Sequence, residues 1–532
     1  MTGPVPIKNR RLDSWKEIAS YLSRDVRTVI RWEKDRGLPV HRVPGGGKTA
    51  VFAFTETLDT WLMPHDGAVR SRLLAVLPFV NAAANPDLDG LCEGLTESLI
   101  SRLAQSKELR VMARSSVARY HGPAVDLREA GRALGVPLVV AGVVRQEHDE
   151  VTVRAELVNT RTSLQLWGSR YSQPADEIWA LEPRMVDAIA NGLSLHLTPN
   201  ERDRLTREAT RSSEALRLYW RGRQAFLQLT GESLQESIAL YQQAIALDPG
   251  FARAYAALAE TYAFLALGYS TERPLKDLVT LGEQAAHAAL ARDPNLAEPH
   301  AALGMLLAST YDMRRIEVEL QRAIVLQPSY ALARTMFAYS RLTQGRRAEA
   351  IAESNIALEL DPVSLHTLTD GAAIHAYAGD LVVARELMDR ARDLHCPPGA
   401  AEAPWLYVYG LIDQIEGRFD AAIDLLERCS RTNIMHTIPL AILGYCYAKT
   451  GRRDRANEVL DRLAALSTHR HAIQFSRAAI LAGLDDRDGA LDALERGYEE
   501  KNPWLFLLNV APWFDDIRSH ARYRAVIARL VL

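Results

Sequence analysis

The chain has 532 residues, of which 48% are hydrophobic and 24% are charged. These proportions are ordinary for a soluble globular protein, and the length predicts about three domains rather than one hydrophobic core. The formal net charge of -3 excludes any argument from overall charge to a nucleic-acid or membrane partner. Only a local excess of charge can indicate such a partner.

Three features of the sequence predict a cytoplasmic protein. The four cysteines lie far apart and form no C-x-x-C pair, which favours buried thiols over a disulfide framework or a zinc site. The start of the chain lacks the apolar core of a secretory signal. The longest apolar run, at residues 136–144, is about half the length that a membrane-spanning helix requires, so no membrane partner is expected.

Two short amphipathic helices are predicted near the amino terminus, at residues 14–22 and 25–36. Gly37 and the proline two residues later supply the stop signal of the second helix. Its inner face is expected to hold Val26, Val29 and Ile30. Another face carries a basic stripe at helical spacing, formed by Arg27, Arg31 and Lys34.

The stretch HRVPGGGKTAVFAF, residues 41–54, raises the alternative of a nucleotide-phosphate loop. A phosphate loop needs a glycine where Arg42 stands, and a helix directly after its lysine. The residues that follow Lys48 and Thr49 are instead apolar and β-forming, which predicts a strand. The stretch therefore favours a β-hairpin with the glycines at its tip.

The segment that contains this hairpin has a local excess of positive charge. From Lys8 to Lys48 there are eleven lysines and arginines against five aspartates and glutamates, in a chain whose total charge is negative. A basic stripe alone more often marks a solvated helix face. Two helices, a basic hairpin and a predicted closing helix at 54–62 occur together here, which favours a helix in a DNA major groove with the hairpin as a wing beside it.

The segment resembles the winged helix-turn-helix of MerR and excisionase-type DNA-binding domains. The residues that match the family pattern are Ile18, Ala19, Leu22, Thr28, Val29, Arg31, Trp32, Glu33, Gly37, Leu38, Pro39, Arg42, Gly46, Phe52, Leu58 and Trp61. The resemblance implies contact with double-stranded DNA by the recognition-helix residues Arg27, Thr28 and Arg31, and by the wing residues His41, Arg42 and Lys48. Lys34, on the same basic stripe, completes the predicted set.

A small α/β domain is predicted after the polar linker at 64–67. Strands are expected at "LLAVLPF", "LRVMARSS", "LVVAGVVRQ", "VTVRAELVN" and "SLQLWGSRYS", and helices at "GLTESLISRLAQS", "DLREAGRALG" and "EIWALEPRMVDAIANGL". On these segments the domain resembles the TolB amino-terminal-like domain of bacterial signalling proteins. Its polar candidates show neither a nucleophile-base pair nor ligand spacing, and they are Glu93, Glu97, His121, His148 and Asp149. No catalytic residue, cofactor or metal is therefore assigned.

The second half of the chain contains internal repeats. The segments "AIALDP", "ALARDP", "AIVLQP", "ALELDP" and "ARDLHCP" place prolines at 249, 294, 328, 362 and 397. This spacing is close to the period of about 34 residues of the tetratricopeptide repeat, and residues 214–510 resemble that family. Small residues such as Ala259, Gly444 and Ala456 stand where its two helices cross. The resemblance implies about eight helical hairpins, closed by a capping helix, with a groove for a protein or peptide.

Together these patterns predict a multidomain, mostly α fold. It comprises a winged helix-turn-helix at 1–64, a TolB amino-terminal-like α/β domain at 70–200, and a tetratricopeptide repeat superhelix at 212–532. The predicted function is a non-enzymatic, DNA-binding transcriptional regulator whose other domains receive a protein partner or a signal. A homodimer would suit two DNA half-sites, although no heptad pattern supplies its interface. The alternative is a repeat scaffold whose amino-terminal module contacts protein or has lost its role.

Overall fold

A computed structural model describes the residue ranges 11–12, 14–21, 26, 29–30, 40–42, 51–54, 72–82, 86–122, 125–267, 273–395, 406–430, 437–466 and 473–530. The chain divides into two compact units, Met1–Ser71 and Arg72–Leu532, and each is described by itself. The predicted closing helix at 54–62 lies almost wholly outside the described residues.

The amino-terminal unit contains a helix and a three-stranded antiparallel sheet. Its elements are β1 (Arg11–Leu12), α1 (Trp15–Tyr21), β2 (His41–Arg42) and β3 (Val51–Phe54). The central strand is β3, which pairs with β1 on one side and with β2 on the other. Because β2 and β3 are consecutive and antiparallel, the predicted hairpin is present.

The core of this unit is small. Its buried residues are Leu12, Ile18, Ala19, Val29, Val51 and Ala53. Residues 26, 29 and 30 are helical, as the second predicted helix requires. Val29 is buried as expected, but Val26 and Ile30 are 37% and 41% exposed, so the inner face predicted for that helix is wrong at two of its three positions.

The second unit begins with a mixed sheet and the helices that cover it. Its strands are β4 (Arg72–Val76), β5 (Val80–Asn81), β6 (Leu109–Val111), β7 (Leu138–Glu147), β8 (Glu150–Asn159) and β9 (Leu164–Pro174). Its helices are α2 (Pro86–Leu103), α3 (Arg114–Val117), α4 (Leu127–Leu134), α5 (Leu181–Gly192) and α6 (Pro199–Thr206). The strand order is β6-β4-β7-β8-β9, with β5 beside β7.

Two segments of this sheet domain differ from the prediction. The strand expected at "LRVMARSS" stops at Val111, and residues Arg114–Val117 form α3 instead. Helix α2 begins at Pro86 rather than at Gly94, where the predicted helix starts, so Gly94 lies inside it. At Gly94 a β-carbon would stand 2.0 Å from the indole of Trp220, so close packing requires the glycine there.

Sixteen described helices then pair in chain order as eight hairpins. They are α7 (Ser213–Leu227), α8 (Gly231–Leu247), α9 (Ala252–Ala266), α10 (Leu275–Arg292), α11 (Glu298–Leu306), α12 (Met313–Leu326), α13 (Ala331–Thr343), α14 (Arg347–Leu360), α15 (Leu365–Ala378), α16 (Leu381–His395), α17 (Tyr407–Ile415), α18 (Phe419–Cys429), α19 (Ile438–Lys449), α20 (Arg453–Leu466), α21 (Ile473–Gly483) and α22 (Arg487–Glu499). The described part of the chain is therefore mostly helical, with a tetratricopeptide-like solenoid.

Two kinds of turn give the solenoid its regularity. Some helices of the array end just before a proline, at Asp248 and at Asp293. Both aspartates have an extended backbone, and the amide of each donates to the carbonyl four residues earlier. Between the helices of a hairpin, glycines adopt a positive φ at positions 345, 379, 417 and 451. Tyr311 and Asp485 occupy the equivalent place with φ of 61° and 63°, a conformation that favours glycine.

The carboxy-terminal segment closes the array, but not as the single capping helix that was predicted. It forms two 3₁₀ segments, Pro503–Asn509 and Pro512–Ile517, followed by α23 (Ala521–Arg529). Both 3₁₀ segments begin at a proline, which lacks the amide that a continuous helix would need. Tyr311 of the third hairpin contacts this segment. Its hydroxyl donates a hydrogen bond to the carbonyl of Asn502 at 2.9 Å.

Three of the four cysteines are buried and free, as predicted, and they are Cys92, Cys429 and Cys446. Cys396 lies outside the described residues. Among the described residues, no helix is both long enough and apolar enough to cross a membrane.

Candidate functional site

The predicted DNA-contacting residues are only partly placed by the structure. Arg27, Thr28, Arg31, Lys34 and Lys48 lie outside the described residues. His41 is exposed on β2, opposite Phe52 on β3, and Arg42 pairs with Val51 in the same register. The structure therefore places His41 and the backbone of Arg42 on the hairpin. The DNA contacts expected of the recognition helix stay a prediction.

His41 has a fixed position on this hairpin. Its imidazole stacks on the ring of Phe52, with centroids 5.0 Å apart and planes at 26°. The stacking partner belongs to the strand whose Val51 and Ala53 enter the core of the unit. An exposed imidazole held in this way can present its ring nitrogens to a phosphate or a base edge.

The polar candidates of the sheet domain serve its structure. Glu93 forms an ion pair with Arg114, and Glu97 forms one with Arg223 of α7 at 2.6 Å. His148 adopts a positive φ at the turn between β7 and β8. Among the described residues, no group of three or more potential ligands could hold a metal ion.

A buried ionic cluster, which the sequence analysis missed, joins the sheet domain to the first hairpins. Glu182 of α5 accepts hydrogen bonds from Arg102 of α2 and, at 2.9 Å, from Arg253 of α9. The side chains of Arg102 and Glu182 are 4% and 3% exposed. Burial alone would raise the pKa of Glu182, but the two guanidinium charges outweigh burial and lower that pKa. The carboxylate is therefore ionised, and two arginines from different domains share it as their counter-charge.

Burial and the neighbouring charge of Arg253 lower the pKa of Arg102, although its pair with Glu182 opposes the change. The pKa of Arg253 is raised, because Glu182, together with Tyr219 and Glu298, outweighs the effect of its own burial. Arg102 also donates to the carbonyl of Leu205 at 2.9 Å. Since both arginines bond to the same buried carboxylate, the cluster fixes the relative position of α2, α5 and α9.

The open edge of the sheet is covered by the turns of the helical array. The amide of Val111 on β6 donates to the hydroxyl of Ser329 at 3.2 Å, and the amide of Ala113 donates to the carbonyl of Leu360 at 3.0 Å. Ser116 donates to Asp361 at 2.8 Å. An uncovered edge strand is a template for unwanted pairing, so these contacts protect β6 and join the two domains a second time.

A further feature found only in the structure is a cavity inside the helical array, here called the central cavity. It is lined by Phe264, Leu267, Gly304, Met305, Ala308, Met313, Ile316, Leu320, Met336, Tyr339, Ser340, Thr343, His366, Thr369, Asp370, Tyr407, Trp504 and Phe506. Its volume is about 1120 Å³, including the open mouth. The lining comes from helices far apart in the chain, so no local sequence signal could have indicated it.

Comparison with known proteins shows that one segment of the chain matches a family model of transcriptional regulators. Residues 70–180 match the family model of the second domain of HilA/YgeH-like transcriptional regulators. A curated relative, "Putative adenylate cyclase 3" of Rhizobium meliloti (strain 1021), is 34% identical over 185 residues. That match covers 35% of this chain and 32% of the relative, so the chain spans about a third of the length of the curated relative it matches.

Solved structures resemble parts of the chain. A thermophilic tetratricopeptide repeat protein from Thermus thermophilus is 17% identical with a TM-score of 0.30, and the match covers 40% of this chain and all of that one. TolB from Acinetobacter baumannii is 21% identical with a TM-score of 0.19, over 23% of this chain and 28% of that one. At these scores neither likeness bears on function, and the MerR-type and TolB-type assignments stay predictions.

Proposed function

We propose that this protein is a DNA-binding transcriptional regulator. The observation that carries the proposal is the match of residues 70–180 to the second domain of HilA/YgeH-like transcriptional regulators. The chain before that segment forms its own compact unit, in which a helix and an antiparallel sheet present an exposed His41 on a hairpin. The excess of basic residues between Lys8 and Lys48 gives this unit the charge that DNA contact requires.

In this proposal the amino-terminal unit contacts double-stranded DNA through Arg27, Thr28, Arg31, Lys34, His41, Arg42 and Lys48. The second unit acts as one body, because the cluster around Glu182 and the covered β6 edge tie the sheet domain to the helical hairpins. Its helical array provides a surface for a protein partner. A partner or signal received there would alter occupancy of the DNA site by the first unit.

We further propose that the protein acts without catalysis. Glu93 and Glu97, two of the three candidate carboxylates of the sheet domain, form ion pairs with Arg114 and Arg223. The curated relative is named as a cyclase, and the match covers a third of it, which is compatible with a shared regulatory segment. Purified protein incubated with ATP should therefore release no cyclic nucleotide. Production of cyclic AMP at a rate proportional to protein concentration would overturn this part of the proposal.

A pair of charge-matched variants tests the DNA contact. Arg31→Ala removes one positive charge from the predicted recognition helix, and Arg487→Ala removes one from an exposed helix start in the second unit. Fluorescence anisotropy of a duplex titrated with each protein should show affinity lower by about 10-fold or more for Arg31→Ala. Arg487→Ala should bind as the unchanged protein does.

Equal affinities of the two variants and the unchanged protein would contradict the proposed recognition helix. The scaffold alternative predicts that result, with weak and unselective binding throughout. Circular dichroism of both variants is the control for folding, since Arg31→Ala must keep the amino-terminal unit intact for the comparison to hold.

A further inference from the structure

The central cavity is lined mainly by aromatic and aliphatic side chains. Phe506 stands against Tyr339 with ring centroids 6.2 Å apart, and Trp504 stacks on Phe506 at 6.0 Å. Also in the lining, the ring of Phe264 lies 6.0 Å from that of His366. Phe506 and Trp504 belong to the carboxy-terminal 3₁₀ segment, so the closure of the array forms one wall of the cavity.

Two of the threonine hydroxyl groups in the lining are occupied by carbonyl groups of their own helices. Thr343 donates to the carbonyl of Ser340 at 3.0 Å, and Thr369 donates to the carbonyl of Leu365 at 2.9 Å. Such local bonds leave these hydroxyls little capacity for orienting a ligand. The polar character of the cavity is therefore concentrated elsewhere in its lining.

Asp370 supplies that polar character. Among the described residues of the lining it is the only carboxylate, and none is a lysine or an arginine. Its Oδ1 accepts a hydrogen bond from the Tyr339 hydroxyl at 3.1 Å. Its Oδ2 is buried without a hydrogen-bond partner, although the Nε2 of His366 approaches it to 3.3 Å. A carboxylate in an apolar site without a guanidinium or ammonium partner is costly, and it attracts a cation strongly.

The walls suit the same kind of ligand. Aromatic rings attract a cation to their faces, and this attraction grows when water is excluded. Pockets for small molecules are lined mainly by apolar side chains with a few polar groups, and the lining of the central cavity has the same character. A ligand with an apolar body and one positive charge would satisfy both the carboxylate and the rings.

We propose that the central cavity binds a small organic ammonium ion with an apolar body, whose charged group is held by Asp370 and whose body lies against the aromatic walls. The site goes beyond the proposed DNA contact and does not depend on it. It would give the helical array a small-molecule effector in addition to a protein partner. Because Trp504 and Phe506 line the cavity, the ligand would also strengthen the closure of the array.

A series of three probes with one body and different head groups tests the proposal. The probes are phenylbutylamine, phenylbutanol and phenylbutyrate, titrated into the intact protein by isothermal calorimetry near neutral pH. The amine should bind saturably, the alcohol about 10-fold or more weakly, and the carboxylate more weakly still, since a charge-assisted hydrogen bond is the difference between them.

Two variants place the binding in the cavity. Asp370→Asn keeps an acceptor for Tyr339 and should reduce the affinity for the amine to that for the alcohol. Ala308→Phe fills the cavity and should abolish the binding of both. The control is Asp389→Asn, because Asp389 also accepts from a tyrosine hydroxyl, that of Tyr409 at 2.6 Å, but lies outside the cavity lining and is paired with Arg392.

Three results would overturn the proposal: no saturable binding of the amine, equal binding of amine and alcohol, or an unchanged amine affinity in Asp370→Asn. A loss in Asp389→Asn as large as that in Asp370→Asn would also contradict it, because the effect would then not be specific to the cavity. Thermal unfolding of each variant provides a separate readout of folding.

Discussion

At the scale of single residues, Asp370 carries a stability cost. Burial raises its pKa, while His366 and the Tyr339 hydroxyl oppose the change. A group whose pKa is higher in the folded state than in the unfolded state contributes most to stability below its unfolded pKa. That contribution is lost as pH rises through the folded pKa, so the ionised carboxylate weakens the fold near neutral pH.

Asp370→Asn should therefore raise the free energy of unfolding by roughly 0.5–2 kcal/mol near neutral pH. The amide cannot ionise, and its NH₂ group can donate toward the Nε2 of His366. The gain should shrink as pH falls through the folded pKa of Asp370, because the unchanged protein then carries a neutral acid too. Urea unfolding across this pH range is the measurement. A variant less stable than the unchanged protein at neutral pH would show that Asp370 has a structural partner.

At the scale of single elements, the hairpin turns follow a rule that the sequence partly reveals. Glycines at 345, 379, 417 and 451 take the positive φ that each turn needs, and the prolines at the end of the repeats mark where helices stop. The repeat architecture could be predicted for this reason, since its signals are local and recur. Tyr311 and Asp485 break the glycine pattern at the same turn position.

Asp485→Gly should stabilise the protein, by up to about 1 kcal/mol, because glycine adopts a φ of 63° without the steric cost that an aspartate bears. Tyr311→Gly should have the opposite effect. Relief at its backbone is outweighed by the loss of a buried ring that stacks on Tyr498, with centroids 5.4 Å apart, and of the bond to Asn502. Chemical denaturation of the two variants measures the contrast. Stabilisation in both would mean that Tyr311 contributes nothing to the closure.

Other elements could not be predicted, because distant packing determines them. Gly94 suggested a helix start, whereas it lies within α2 to accept Trp220 of the helical array. The central cavity joins Phe264 to Phe506, and only the closure of the array brings them together. The DNA-contacting set rests on family likeness and charge, and of its members the structure describes the His41 side chain and the Arg42 backbone.

At the scale of the whole molecule, the sheet domain and the helical array behave as one unit. The cluster of Arg102, Glu182 and Arg253 is buried, whereas the pair of Arg110 and Glu359 at the same junction is 41% and 61% exposed. A buried carboxylate that is the shared counter-charge of two arginines should matter far more than an exposed pair of this kind.

Glu182→Gln should lower the free energy of unfolding by about 3–5 kcal/mol, because two buried guanidinium groups lose their shared counter-charge. Glu359→Gln, the matched control, should change it by less than about 0.5 kcal/mol. The pKa of Glu182 is lowered in the folded state, so its contribution is present above the ordinary value of 4.5 and is lost as pH falls through the folded pKa. Urea unfolding at neutral and acidic pH measures both effects. Similar losses in the two variants would show that the cluster does not hold the domains together.

The measurement that tests the central claim most directly is selection from a pool of genomic DNA fragments by the intact protein, at several salt concentrations. A regulator should enrich a subset of fragments, bind them with dissociation constants tighter than the nonspecific range of about 10⁻⁴ to 10⁻⁶ M, and lose affinity steeply as salt rises. Binding that stays in the nonspecific range and enriches no fragment would contradict the claim and favour a scaffold.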